Sequence, residues 1–252
     1  MNPLRMLAAA AAALVPLIAP AQVTVKPDGQ FRFLLGAGAS VASGNTKSSN
    51  LNLTADGVRA TDLDKLTLKA QALYGSSNGT TTAERLVLGG QYNRDLTPRI
   101  FWFAGADALR DKPANLSSRY AVAAGVGYHV IKSDTMTFDV SGGLGYTRDS
   151  FVAPVVIDDE LRESLGRTEL VLAEESTHKL TETTSAFQKL SLRPDLEHSG
   201  DFLANFESGI SVAMNKTLSL TAGLSYRYNS DPGVGFKKGD ALFVTGVTVR
   251  FD

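Results

Sequence analysis

The sequence predicts an all-β chain closed into a transmembrane, antiparallel, up-and-down β-barrel of about twelve strands. Three observations predict it. The first is alternation. In TLSLTAGLSYRYNS, residues 217–230, Leu218, Leu220, Ala222, Leu224, Tyr226 and Tyr228 are apolar, and the residues between them are polar or lack a side chain. Strands of soluble domains are usually about 5–6 residues long, whereas a tilted strand needs about 9–11 to cross hydrocarbon. A long strict period of two fits one face on acyl chains and one on a wet interior.

The second observation is connection length. Short connections (ATDLD, DLTP, IKSD, MNK) alternate with longer ones (SGNTKS, GSSNGTTT, RDKPANLSS, DSFVAPVVIDDELRESLG, LRPDLEHSG, DPGVGFKKGD). With both termini periplasmic, the short turns share one side and the long loops the other, as in outer-membrane barrels. The third is the placing of aromatics. Tyr74, Tyr120, Tyr146, Phe202, Tyr226, Tyr228 and Phe243 fall near outer strand ends, and Phe31, Tyr92, Trp102, Tyr128, Phe138 and Phe251 near inner ends. Two girdles around an aliphatic band suit rings that prefer the headgroup level. A sandwich core would place its rings in mid-strand.

The segments follow in order. The first spans 31–41, with Phe31, Phe33, Leu35, Ala37, Ala39 and Val41 on one face. The second covers about 49–59, the third 65–75, the fourth 84–94 and the fifth 99–110 around Trp102. The sixth presents Tyr120, Val122, Ala124, Val126 and Tyr128, and the seventh Met136, Phe138, Val140, Leu144 and Tyr146. Segments eight (about 167–180) and nine (about 185–193) are more polar and poorly periodic, the link at HKLTETT is ambiguous, and the count therefore ranges from ten to fourteen. Ten is 202–214, eleven the stretch quoted above and twelve 241–251.

Residues 1–21 stand apart as an export signal peptide. MNPLR supplies a positive start, LAAAAAALVPLIA an apolar core too short and Pro-broken for a spanning helix, and Ala19-Pro20-Ala21 a small-x-small cleavage site. Cleavage after Ala21 leaves the barrel domain as residues 22–252 and the cell outer membrane as the expected location. The cut removes Arg5 and no acidic residue, moving the net charge from -1 to -2. A charge this near zero argues against a nucleic-acid partner. With no cysteine in the chain, disulfide frameworks and thiolate metal sites are excluded.

Several motifs together resemble the YdiY-like, salt-induced outer-membrane protein family, a β-barrel domain of unknown function. They are SGNT at 43–46, RDLTPRIFWFAGADALRD at 94–111, GVGY and GLGY at 125–128 and 143–146, and the closing DPGVGFKKGDALFVTGVTVRF at 231–251. The resemblance covers essentially the whole chain after the signal peptide. It implies location and fold, and a link to salt or osmotic stress; it carries no substrate and no catalytic residue. Thr245, Gly246, Val249 and Phe251 also resemble the terminal-strand signal read by barrel-assembly machinery, although Asp252 follows the terminal aromatic.

Candidate chemistry is sparse. His129 and His178 fall near periplasmic strand ends; His198 lies in PDLEHSGD beside Ser199 and between Asp195 and Asp201, the one place for acid–base or nucleophilic work at the outer rim. In VIDDELRESLG, Asp158, Asp159, Glu160 and Glu163 are expected on one helical turn, with oxygen ligands suited to Ca²⁺ or Mg²⁺. A solvated short helix is the preferred reading, and no cofactor or metal is assigned. The expected lumen-facing set is Lys65, Lys69, Gln71, Arg119, Asp139, Glu207, Arg227 and Arg250, joined by Arg32, Gln91, Asp107 and Asn205. Eight strands give a barrel filled by side chains and about sixteen an open channel; twelve lie between.

The expectation is a non-enzymatic barrel of the bacterial envelope, structural or narrow-pored. Its partners are outer-membrane lipids, lipopolysaccharide and, during biogenesis, the assembly machinery; the oligomeric state is open. The alternatives are an outer-membrane hydrolase at the outer rim and a soluble exported β-sheet binding protein.

Overall fold

The computed structural model describes residues 27–42, 48–157, 160–198, 200–230 and 238–251. The predicted export segment lies outside them. Twelve strands follow one another: β1 Phe31–Ala42, β2 Ser48–Ala60, β3 Asp64–Ser77, β4 Thr80–Asp95, β5 Ile100–Asp111, β6 Leu116–Lys132, β7 Met136–Ile157, β8 Glu160–Lys179, β9 Thr184–Pro194, β10 Phe202–Ala213, β11 Leu218–Asn229 and β12 Gly239–Phe251. Each pairs antiparallel with its sequence neighbours, and β1 closes on β12 through Phe33–Phe251, Leu34–Arg250, Leu35–Val249 and Gly36–Thr248. Closure gives every strand a partner on both edges, as a lipid-embedded sheet requires.

The rim carrying the start of β1 and the end of β12, here the inner rim, has five short turns built alike. In each, the side-chain oxygen of the first residue accepts the backbone N–H three residues on: Thr61 from Asp64 (3.0 Å), Thr97 from Ile100 (2.9 Å), Ser133 from Met136 (3.1 Å), Thr181 from Thr184 (2.9 Å) and Asn215 from Leu218 (2.8 Å). Ser, Thr and Asn favour such turns because their short side chains mimic a backbone acceptor. The ambiguous HKLTETT link is one of the five, and segments eight and nine are genuine strands.

At the outer rim two expected long loops are instead strand. GSSNGTTT is a hairpin turning on Asn78 (φ 49°) and Gly79 (φ 80°), the left-handed pair that a two-residue turn demands. Residues 149–157 and 160–166 continue β7 and β8 past the rim as paired strands interrupted by a register shift between Ser150 and Val155. The shift lies beside Asn115, whose side-chain amide donates to Ala153 O and accepts from Ala153 N, both at 2.8 Å. The helical turn expected at 158–163 is therefore wrong: Glu160 and Glu163 lie on β8, Glu160 binds Arg162, and Asp158 and Asp159 lie outside the described residues. Backbone pairing continues past the outer girdle because the ladder satisfies backbone donors locally, with Asn115 serving Ala153 where the ladder is interrupted.

The strands are strongly inclined. A line of register partners starting at Phe33 on β1 passes through Gly57, Leu68, Gly90, Ala106 and Val122 and reaches Tyr146 on β7 and Thr168 on β8. It begins in the inner aromatic girdle and ends in the outer one. Tyr74, Tyr120, Tyr146 and Tyr226 are exposed at the outer level and Phe31, Phe33 and Tyr128 at the inner, with Leu35, Leu53, Leu88, Val122, Val126, Leu144 and Leu220 exposed between them.

Two aromatics face the other way. Phe101 and Phe103 are buried against the inside of the wall. They lie over Gly127 and Gly125 of β6, where an added Cβ would meet the Phe101 ring at 2.1 Å and the Phe103 ring at 2.8 Å. Each glycine makes room for a ring that covers its bare backbone. Phe101→Ala should lower the unfolding free energy by about 3–5 kcal/mol, the usual cost of deleting a buried ring, read from denaturant unfolding of the refolded barrel.

Candidate functional site: the charged lumen

The inward rows carry the charges, and they gather at three levels. The first is a waist toward the inner half. Lys69 on β3 reaches Asp107 on β5 at 3.0 Å by passing over Gly89 of β4, where a Cβ would lie 2.3 Å from the Asp107 carboxylate and 2.4 Å from Lys69 Cε. On the facing wall Lys189 of β9 pairs with Glu175 of β8 at 3.5 Å, with Glu207 of β10 beside it. The two walls interact across the lumen: Lys189 is within electrostatic reach of Asp107, and Glu175 of Lys65. These side chains point inward yet are wetted, with 55% of Lys69, 46% of Asp107, 44% of Lys189 and 35% of Glu175 exposed.

The second level is an arginine cluster on the outer half of the β6–β9 wall. Asp149 accepts a two-pronged contact from Arg119 (2.5 and 2.6 Å) and a third bond from Arg167 (3.1 Å). Glu169 meets Arg193 at 3.0 Å and accepts from Thr147 Oγ1 at 3.1 Å. Both carboxylates are almost fully buried while the guanidiniums are partly open. Buried carboxylates of this kind stay charged only when matched by such donors. Three arginines over two carboxylates leave the surface toward the lumen cationic.

The third level is the inner rim. His129 bridges Asp139 through Nδ1 (2.7 Å) and Asp95 through Nε2 (3.2 Å), packs at a tilt on Phe101 at 4.7 Å between ring centroids, and shares Asp95 with Lys132. Arg32 is buried and bound to Asp28, just ahead of β1.

The expected lumenal residues are thereby placed. Lys65, Lys69, Asp107 and Glu207 belong to the waist, Arg119 to the arginine cluster, and Asp139 and Arg32 to the inner rim. Gln71 sits in register between Thr54 and Val87; Gln91 donates to Asn93 at 2.8 Å; Asn205 donates to Ser191 at 3.5 Å; Arg227 lies in register between Asn205 and Asp240. The side chains of Arg250 and Phe251 lie outside the described residues, while Thr245, Gly246 and Val249 pair with Ala222, Thr221 and Leu218. The sequence reading did not assign Asp149, Arg167, Glu169, Glu175, Lys189 and Arg193 to the lumen; for Arg167, Glu169 and Glu175 the signal was the period-two row Arg167, Glu169, Val171, Ala173, Glu175 within the poorly periodic segment eight.

The histidines are dispersed. His178 lies on the outward row of β8 near its inner end. His198 is part of a turn in which Asp195 accepts from the backbone N–H groups of Glu197 (2.8 Å) and His198 (3.3 Å) and contacts the His198 ring at 3.1 Å. Burial would raise the Asp195 carboxyl, but these hydrogen bonds and the His198 ring outweigh it and hold it below the usual range. The arrangement caps a loop; Ser199 lies outside the described residues. Among the described residues no group of three or more His, Asp or Glu side chains is arranged to hold a metal ion.

The profile described as "Protein of unknown function, DUF481" matches residues 35–251. A relative from Escherichia coli (strain K12), "Uncharacterized protein YdiY", is 26% identical over 198 residues, covering 79% of this chain and 74% of its own. Among solved structures, the NanC porin is 10% identical with a TM-score of 0.46, covering 87% of this chain and 97% of its own. The translocator domain of the autotransporter NalP from Neisseria meningitidis is 17% identical with a TM-score of 0.44 and 88% coverage of each chain.

Two outcomes follow from this geometry. Glu169→Gln should cost about 3–5 kcal/mol in denaturant unfolding, because it removes the buried charge that Arg193 and Arg167 pair with, whereas Arg162→Gln, at an exposed pair, should cost about 0–1 kcal/mol. The hydrogen bonds from Arg32, helped by the Gln30 N–H, hold the Asp28 carboxyl down to about 2. Since that value is depressed, the contact's contribution is complete above the ordinary carboxylate pKa of about 4 and fades as pH falls toward 2. A carboxyl-carbon NMR titration in micelles should show the Asp28 signal moving only at the bottom of that range.

Proposed function

The chain belongs to the DUF481 family, and we propose that this member is a non-enzymatic, water-filled barrel of the bacterial outer membrane that lets small ions and polar solutes pass through a narrow, mixed-charge lumen. One observation carries the reading: Lys69, Asp107, Lys189 and Glu175 from facing walls meet electrostatically, yet remain open to water. A packed plug would have buried them. Both signs stand at the waist, so the pore holds back neither cations nor anions strongly.

Export by the N-terminal segment and cleavage after Ala21 belong to the same reading, as do surroundings of lipid and lipopolysaccharide. Recognition of β12 by assembly machinery through Thr245, Gly246, Val249 and Phe251 rests on the sequence pattern. The link to salt or osmotic stress rests on the family resemblance alone, and protein levels in cells grown at low and high salt decide it.

The function is tested by planar-bilayer conductance of the refolded chain, with folding checked by the gel shift between unheated and boiled samples. Discrete current steps are expected. Gly89→Val should keep the gel shift but displace the Lys69–Asp107 bridge into the lumen and lower the step size. Silence from protein shown to be folded and inserted would overturn the pore.

A further inference from the structure

Among the described residues, the outward face of the barrel carries one charge at mid-depth. Glu174 on β8 has the aliphatic Val140 and Leu190 as register partners, with Leu172 one outward position above it. Two outward positions, Ser176 and His178, separate it from the inner turn, and Ser176 is the partner of Phe138. Glu174 therefore lies one step beyond the inner girdle, within the aliphatic band. The other outward charges on the strands paired through the barrel wall stand near strand ends or rims: Arg59, Asp64 and Arg94 by inner turns, Glu84, Arg110 and Arg148 at the outer level. A charge that faces lipid at depth is destabilising unless something satisfies it.

Among the described residues its one hydrogen-bond partner is Gln188 of β9, whose Nε2 donates to Glu174 Oε1. Glu174 Oε2 has no partner among the described residues. Gln188 is flanked by Ser176 and Ser208 on the strands either side. The patch is thus rich in donors and acceptors in a place where lipid tails offer none.

We propose that this patch is an interface with a second copy of the same chain. Two barrels inserted in the same direction are related by a two-fold axis along the membrane normal, and such an axis brings together residues of equal depth. Glu174 and Gln188 meet that condition. Partner lines climb toward the outer rim in the order β1 to β12, so the step from Glu174 across to Leu190 rises and the two-residue step back to Gln188 descends. The two side chains stand side by side at nearly one level. Across the axis, the second amide hydrogen of each Gln188 donates to Oε2 of the other copy's Glu174. Four side chains then close a ring in which both carboxylates are bound on both oxygens. The self-complementarity is specific to this position; a phospholipid amine would have to descend below its own headgroup level to reach it.

The chain's lack of cysteine makes the test direct. Copies carrying Glu174→Cys and copies carrying Gln188→Cys are expressed together in the full-length chain and oxidised in membranes. A disulfide-linked pair at least ten times as abundant as with Leu68→Cys, on the opposite wall, is expected. In wild-type chain extracted in mild detergent, sedimentation should show a dimer. The double variant Glu174→Leu, Gln188→Leu, with its gel shift intact, should reduce the dimer at least ten-fold. Equal cross-linking at both walls, a wild-type monomer, a cross-link only to a different protein, or a double variant as dimeric as wild type would each overturn the proposal. The gel shift separates these results from failure of the barrel itself.

Discussion

Every backbone N–H and C=O in a wall that meets lipid must find its partner within that wall. In this chain the requirement is met at the seam where β1 pairs with β12, bringing Phe33 to Phe251 and Gly36 to Thr248. An open sheet would leave two rows of unpaired groups. Closure obliges every strand to span the same band, and so the aliphatic positions repeat on all of them. It also obliges the interior to take whatever the exterior refuses, and the charges of β3, β5, β8, β9 and β10 are gathered there.

How those charges are held differs with level. In the arginine cluster the carboxylates Asp149 and Glu169 are sunk behind guanidiniums, with Thr147 adding a donor to Glu169. Such an arrangement depends on full hydrogen bonding, and its loss is expensive. At the waist the pairs are looser and wet, so they shape the field of the lumen more than the stability of the wall. The glycine gap at Gly89 belongs to the waist: an ion pair between β3 and β5 is within reach only because β4 withholds its side chain.

Most of the fold was legible in the residues. Strict alternation in β1, β3, β6 and β11 marks which face meets lipid, and the five inner turns announce themselves by a Ser, Thr or Asn three residues before the next strand. The candidate site was legible only in part. Lys69 and Asp107 could be assigned to the lumen, but sequence does not say that they meet over Gly89, because that depends on register across three strands. Reading 149–166 as a loop hid Asp149. Segment eight looked irregular for a specific reason: Glu174 occupies a position where alternation calls for an apolar residue. The local failure of the pattern marks the patch on the outer face. His129 lacked any signal, since its partners Asp95 and Asp139 come from two other strands.

The inclination of the partner lines has a mechanical consequence. As a line runs from Phe33 on β1 to Thr168 on β8 it winds about the axis while the covalent chain winds the opposite way. Peptide bonds carry load along one diagonal and hydrogen bonds along the other, like crossed plies in a filament-wound tube. Neither girth nor height can change unless neighbouring strands slip, and slippage by one residue would turn lipid-facing side chains inward. The bore is therefore held by strand number and register, and the tube keeps its diameter whether its contents are side chains, water or a passing solute.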